Sequence, residues 1–200
     1  MQKLIFILAL LVSFFPIQEA RSAISPLGVS ILPPLQFPPS DFGVTGVRAS
    51  VLWGKHRDVY GLDFGLIGNI TEQDFVGIGV SGLFNITKGN TYIIGLQAAG
   101  VTNYNVQKTK VVGFQLAGLL NFNIAESSVV GVQLAPLGNF ADHTTVYGLQ
   151  VGLYNSAREV YGLQIGLVNF TENLHGIQIG LLNFNHSGTF VVSPIINVGF

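Results

Sequence analysis

The sequence predicts an all-β repeat domain, and three observations carry that prediction. A short glycine-centred unit recurs nine times. Within each unit apolar residues alternate with small or polar ones, the period of a β-strand. The connectors are short and rich in Asn, Ser, Thr and Asp, which suits turns. Helix fails on two counts. Glycine inside a helix costs about 1 kcal/mol each, and the apolar positions repeat every two residues rather than roughly every 3.6.

Residues 1–23 read as a signal peptide. Lys3 supplies a positive start, Leu4 to Phe15 an apolar run and Pro16 a break, and Ala20 and Ala23 are candidate cleavage positions. The run is shorter than the roughly 20 residues of a spanning helix, so cleavage is expected rather than anchoring. Residues 24–41 hold five prolines (Pro26, Pro33, Pro34, Pro38 and Pro39) and are expected to form an extended leader outside the sheet. Residues 42–200 form a single β-repeat domain.

The last three units are Val146-Tyr-Gly-Leu-Gln-Val-Gly-Leu-Tyr-Asn155, Val160-Tyr-Gly-Leu-Gln-Ile-Gly-Leu-Val-Asn169 and Leu174-His-Gly-Ile-Gln-Ile-Gly-Leu-Leu-Asn183. The leading glycine is present in every unit, from Gly46 to Gly176. The centre position is Arg48, Asp63 and Gly79, then Gln97, Gln115, Gln133, Gln150, Gln164 and Gln178. A second small position runs from Ser50 to Gly180, and an Asn closes eight units, from Asn69 to Asn183. One strand face thus carries Gly, Gln and Ala, and the other Leu, Ile, Val and Phe. Thr189–Phe200 alternates again, and its Pro194 lacks a ladder donor, which marks an edge or capping strand. Counting it, the chain offers ten strands.

Two architectures use such a repeat. The first is an antiparallel up-and-down β-barrel of about ten strands in an outer membrane. The second is a parallel β-solenoid with one unit per coil. Ten strand-like residues span about 33 Å, whereas four connector residues reach at most about 14 Å. The connector therefore closes a hairpin, unless the unit breaks at a corner near Gly166. A spanning strand also alternates apolar outside with polar or small inside, which explains how 10% charged residues suffice. The barrel is the first expectation. The solenoid is the alternative, with Leu and Ile inside and a Gly-Gln-Ala surface. Arg48 and Asp63 take the centre position in consecutive units, so either architecture sets them side by side on one face.

Little in the chain points to chemistry. Cysteine is absent, which excludes disulfides, thiolate metal sites and cysteine nucleophiles. A net charge of -1 provides no basic field for nucleic acid. His56, His143, His175 and His186 lack metal-ligand spacing, and no nucleophilic triad or phosphate loop stands out. Sequons at Asn69, Asn85, Asn169 and Asn185 coincide with the closing Asn positions and read as turn formers. The expected polar belt is Arg48, Asp63, Gln97, Gln115, Gln133, Gln150, Gln164 and Gln178. It either lines a narrow passage or closes the lumen through amide pairing, and in a solenoid it becomes an amide ladder.

The recurring Val-x-Gly-Leu-Gln-x-Gly-Leu-x-Asn, with its Pro-containing tail at Pro194, resembles a bacterial surface-repeat family of unknown function known from leptospiral and related genomes. The resemblance covers about Val47 to Phe200 and implies an envelope protein, but no activity or binding residue. The expectation is a non-enzymatic outer-membrane barrel, structural or weakly pore-forming, with outer-membrane lipid as its partner and no cofactor. The alternative is a secreted or surface-exposed solenoid acting as scaffold or adhesin.

Overall fold

The computed structural model describes residues 23–200; the expected signal peptide, apart from Ala23, lies outside them. The fold is a parallel β-solenoid rather than a barrel. Each repeat contributes a long and a short strand segment; with some segments fused and strands added at both ends, eighteen strands form instead of ten. The long strands are β1 (Ile24–Leu32), β3 (Gly43–Ser50), β5 (Asp58–Gly65), β7 (Phe75–Ser81), β9 (Thr91–Ala99), β11 (Thr109–Ala117), β13 (Ser127–Leu134) and β15 (Thr144–Val151). Between them lie the short strands β4 (Trp53–His56), β6 (Gly68–Thr71), β8 (Phe84–Thr87), β10 (Thr102–Asn105), β12 (Leu120–Asn123) and β14 (Gly138–Phe140). In β16 (Tyr154–Ile165) and β17 (Val168–Asn185) the short and long segments run together through the connector.

Long strands stack on long strands and short on short, in parallel. The register matches the repeat: Gly113 faces Gly95 and Gly131, and Gln115 faces Gln97 and Gln133. The hairpin inference fails because the unit is not one strand. After Gln164 and Ile165 the chain bends at Gly166–Leu167 and returns along a short strand through Asn169. Halving the strand halves the span that the connector must close.

The leading glycines have a backbone reason. At Gly113 φ is +128°, a region L-residues rarely adopt, and a Cβ there would run into the carbonyl oxygen of Gly95 in the preceding coil. The same holds for Gly131 against Gly113. The conformation therefore repeats in every coil, and only glycine fits it.

Both ends are closed by antiparallel strands. The Pro-rich segment is part of the sheet rather than a free leader: β1 pairs in parallel with β3, and β2 (Leu35–Phe37) folds back on β1. Pro26 is tolerated because β1 is the first strand of its stack and its register shifts between Ser25 and Leu27. At the other end β18 (Val192–Gly199), with Pro194, lies antiparallel on β17.

The sides of the sheet are opposite to those expected of a solenoid. Gln, Asn, Thr and small residues point inward, together with one apolar stack that runs through Val59, Val111 and Val160 to Leu174. Leu, Ile, Phe and Tyr point outward: Leu66 is 72% exposed, Phe114 51% and Tyr147 45%.

Candidate functional site

The interior is built on two amide ladders. Gln115 Nε2 donates to Gln97 Oε1, and the pattern continues through Gln133, Gln150, Gln164 and Gln178 at 2.6–2.9 Å. Asn197 of β18 closes this ladder by donating to Gln178 Oε1. A second ladder runs from Asn69 to Asn183 on the short strands at 2.8–3.3 Å. Each of these asparagines has another N–H on a backbone carbonyl, as in Asn103 to Leu116 and Asn169 to Ile179. A carbonyl only accepts, so these bonds fix which way each Asn amide points.

The two ladders run in opposite senses. Glutamine donors point towards the amino-terminal neighbour, whereas asparagine donors point towards the carboxy-terminal one. Their amide dipoles therefore oppose each other along the axis. A separate pair, Asn105 and Asn123, braces the glutamine ladder: Gln115 makes four bonds, to Gln97, Gln133 and both side-chain amide atoms of Asn123. Every donor and lone pair of its amide is used, the arrangement that makes a buried polar network favourable.

Arg48 and Asp63 also lie inside and form an ion pair. Arg48 Nε and Nη2 donate to Asp63 Oδ1 and Oδ2 at 2.7 and 2.6 Å. Arg48 is completely buried, and its Nη1 also donates to the Ile70 carbonyl at 2.8 Å. All eight residues of the expected polar belt thus share the interior face. The amides bond one another along the axis, the closed arrangement, rather than lining a passage. Gly79 interrupts the glutamine ladder. The ring of Phe75, larger than the valine usual at its position, takes up the space, lying 3.2 Å from where a Cβ of residue 79 would stand.

His56 packs behind the ion pair. Its Nε2 lies 3.1 Å from the Pro38 carbonyl, which only accepts, so Nε2 carries the proton. Its Nδ1 faces Arg48 Nη1 at 3.5 Å. Burial, and then the Arg48 charge, lower its pKa to about 4, against a smaller upward pull from the Pro38 carbonyl.

The closing asparagines are a correction. They are not turn formers but interior strand residues, so the sequons at Asn69, Asn85, Asn169 and Asn185 hold buried side chains. A signal for this was present. Strict alternation from Gln164 through Gly166 would place Asn169 outside. The doubled apolar pair Leu167-Val168 shifts the phase by one residue and brings Asn169 in. Leu119-Leu120 and Leu181-Leu182 do the same.

The exterior is segregated. The bend between long and short strands forms an apolar corner in every coil, from Val51 and Leu66 through Leu119 and Leu153 to Leu181. The opposite edge holds the charge. Apart from Arg48 and Asp63, every charged side chain among the described residues lies in, or within two residues of, the segment leading from a short strand to the next long strand. Aromatic rings stack between the two, as in Phe122 on Phe140 and Tyr147 on Tyr161, with centroids 5.0 and 4.9 Å apart. No group of three or more His, Asp or Glu side chains among the described residues could hold a metal ion. No family model, curated protein or solved structure matches the chain.

Proposed function

We propose that this chain is an exported, non-enzymatic protein of the bacterial envelope or cell surface, and that its β-solenoid serves as a scaffold. The observation that carries the reading is the segregation of its side chains. The amides and the buried ion pair are consumed inside, holding coil to coil. What faces outward is apolar on two flanks and charged along one edge. Such a molecule presents surface for contact rather than a pocket for chemistry. The likeness of its repeats to the leptospiral-type surface-repeat family supports the same reading, as does the apolar run Leu4 to Phe15. Cell fractionation tests it. The chain, shortened at Ala20 or Ala23, is expected with the envelope or outside the cell. An unprocessed chain in the cytosolic fraction would overturn the proposal.

A further inference from the structure

Resting on that reading, we infer that the apolar corner of the solenoid is a lipid-inserting ridge, which docks the protein on a membrane with the solenoid axis in the plane of the surface. Shape is the first argument. The corner recurs in successive coils from Val51 to Leu181, a ridge about 40 Å long at the usual strand spacing. Its most prominent members stand well clear of the body, Leu66 at 72% and Leu181 at 65% exposure. A contiguous apolar surface of this extent marks a contact site.

The flanks decide what the occupant is. On the long-strand side Phe64, Phe114 and Ile177 are exposed, and on the short-strand side Tyr104 and Phe170. A convex corner that is apolar on both sides cannot be covered by the flat face of a second copy, which reaches one flank only. A fluid acyl layer surrounds both. The order of side chains across the surface agrees. Aliphatic residues form the ridge, rings such as Tyr147 and Tyr161 lie nearer the opposite edge, and charge occupies that edge. Apolar residues in the acyl region, aromatics at the interface and charge in water is the order of side chains in an interfacial protein. Because the charged edge runs the length of the solenoid, the axis lies along the membrane and does not cross it.

The charged edge is mixed in sign. Lys55 and Lys88 both reach Glu72, at 3.1 and 3.0 Å, and Arg57 pairs with Asp58 at 2.7 Å. Attraction to anionic headgroups is therefore not the driving force, and binding should be indifferent to lipid charge and to salt.

Flotation of the exported chain with phosphatidylcholine and phosphatidylglycerol vesicles tests this. The expected result is co-flotation with both, unchanged by added salt. A combined Leu66→Ser, Leu119→Ser, Leu153→Ser and Leu167→Ser variant is expected to lower the floated fraction at least about tenfold. These side chains point outward, so its circular dichroism should match that of the parent. A control Lys108→Ser, Lys110→Ser variant should float as the parent does. Trp53, the single tryptophan, faces outward on β4 beside the ridge; its emission should shift to shorter wavelength on vesicles and be quenched by brominated acyl chains. Failure to float, flotation unaffected by the ridge variant, or binding to anionic vesicles alone would overturn the inference. So would a lipid-free oligomer that the ridge variant dissociates, which would make a second copy the occupant. None of these outcomes touches the fractionation result on which the proposed function stands.

Discussion

Replacing Gln115 by leucine removes the most completely bonded glutamine of the interior. Gln115 donates to Gln97 at 2.9 Å and to Asn123 at 3.1 Å, and accepts from Gln133 at 2.9 Å and Asn123 at 3.1 Å. Gln97 Oε1 keeps its bond from Asn105, and Asn123 Oδ1 keeps its own from Asn105. Gln133 Nε2 and Asn123 Nδ2 are left without an acceptor. Each stranded donor costs about 1–3 kcal/mol, so the gross penalty is about 2–6 kcal/mol. Burial of the introduced leucine offsets about 2 kcal/mol of this, and the expected net loss is about 0–4 kcal/mol, centred near 2. With a urea slope of about 2 kcal/mol per molar, the unfolding midpoint falls by roughly 1 M. The neighbouring Phe114 points outward, and Phe114→Ser should change stability by less than about 1 kcal/mol. A midpoint for Q115L at or above that of the parent would refute the assignment of the amides to the interior. So would a larger loss for F114S than for Q115L.

Four further outcomes follow from the same geometry. Arg48→Gln or Asp63→Gln alone strands a buried charge and should cost about 3–5 kcal/mol, whereas the double variant replaces the ion pair by an amide pair and should come within about 1 kcal/mol of the parent; additive losses in a double-mutant cycle by urea unfolding would contradict this. Gly113→Ala, at φ +128° and against the Gly95 carbonyl, should cost more than about 2 kcal/mol in the same assay. Phe75→Val with Gly79→Gln should join the broken ladder, with the new amide donating to Asp63 and accepting from Gln97, and raise stability by about 1–3 kcal/mol. His56 is neutral when folded and has a pKa of about 4, below its ordinary value of 6.5. Its contribution is complete above pH 6.5 and is lost as pH falls towards 4, about 3 kcal/mol in all; a pH series of urea midpoints should show the fall, and His56→Gln should abolish it.

Much of the interior was legible before any fold was known. Period-two alternation put Arg48, Asp63 and the six glutamines on one face with the small residues. The exact repetition of Gly113 and Gln115 in neighbouring units fixed which residues stand side by side. The ion pair between Arg48 and Asp63 obeys that register. The glycine at the head of each unit was visible as an invariant of the repeat. Its cause was not, because a positive φ is a property of the stacked backbone.

Only the tertiary structure decided direction. Alternation is the same whether a strand is followed by a hairpin or by a corner and return, so barrel and solenoid share one pattern. The corner at Gly166–Leu167 and the phase shift that turns Asn169 inward separate them. The sequence by itself determined a two-faced strand, polar and small against aliphatic. The folded chain determined that the polar face closes on itself. Amides bond to identical amides one coil away, so the interior needs only a single apolar stack beside them. The aliphatic face is thereby left outward, exposed along both flanks of the solenoid.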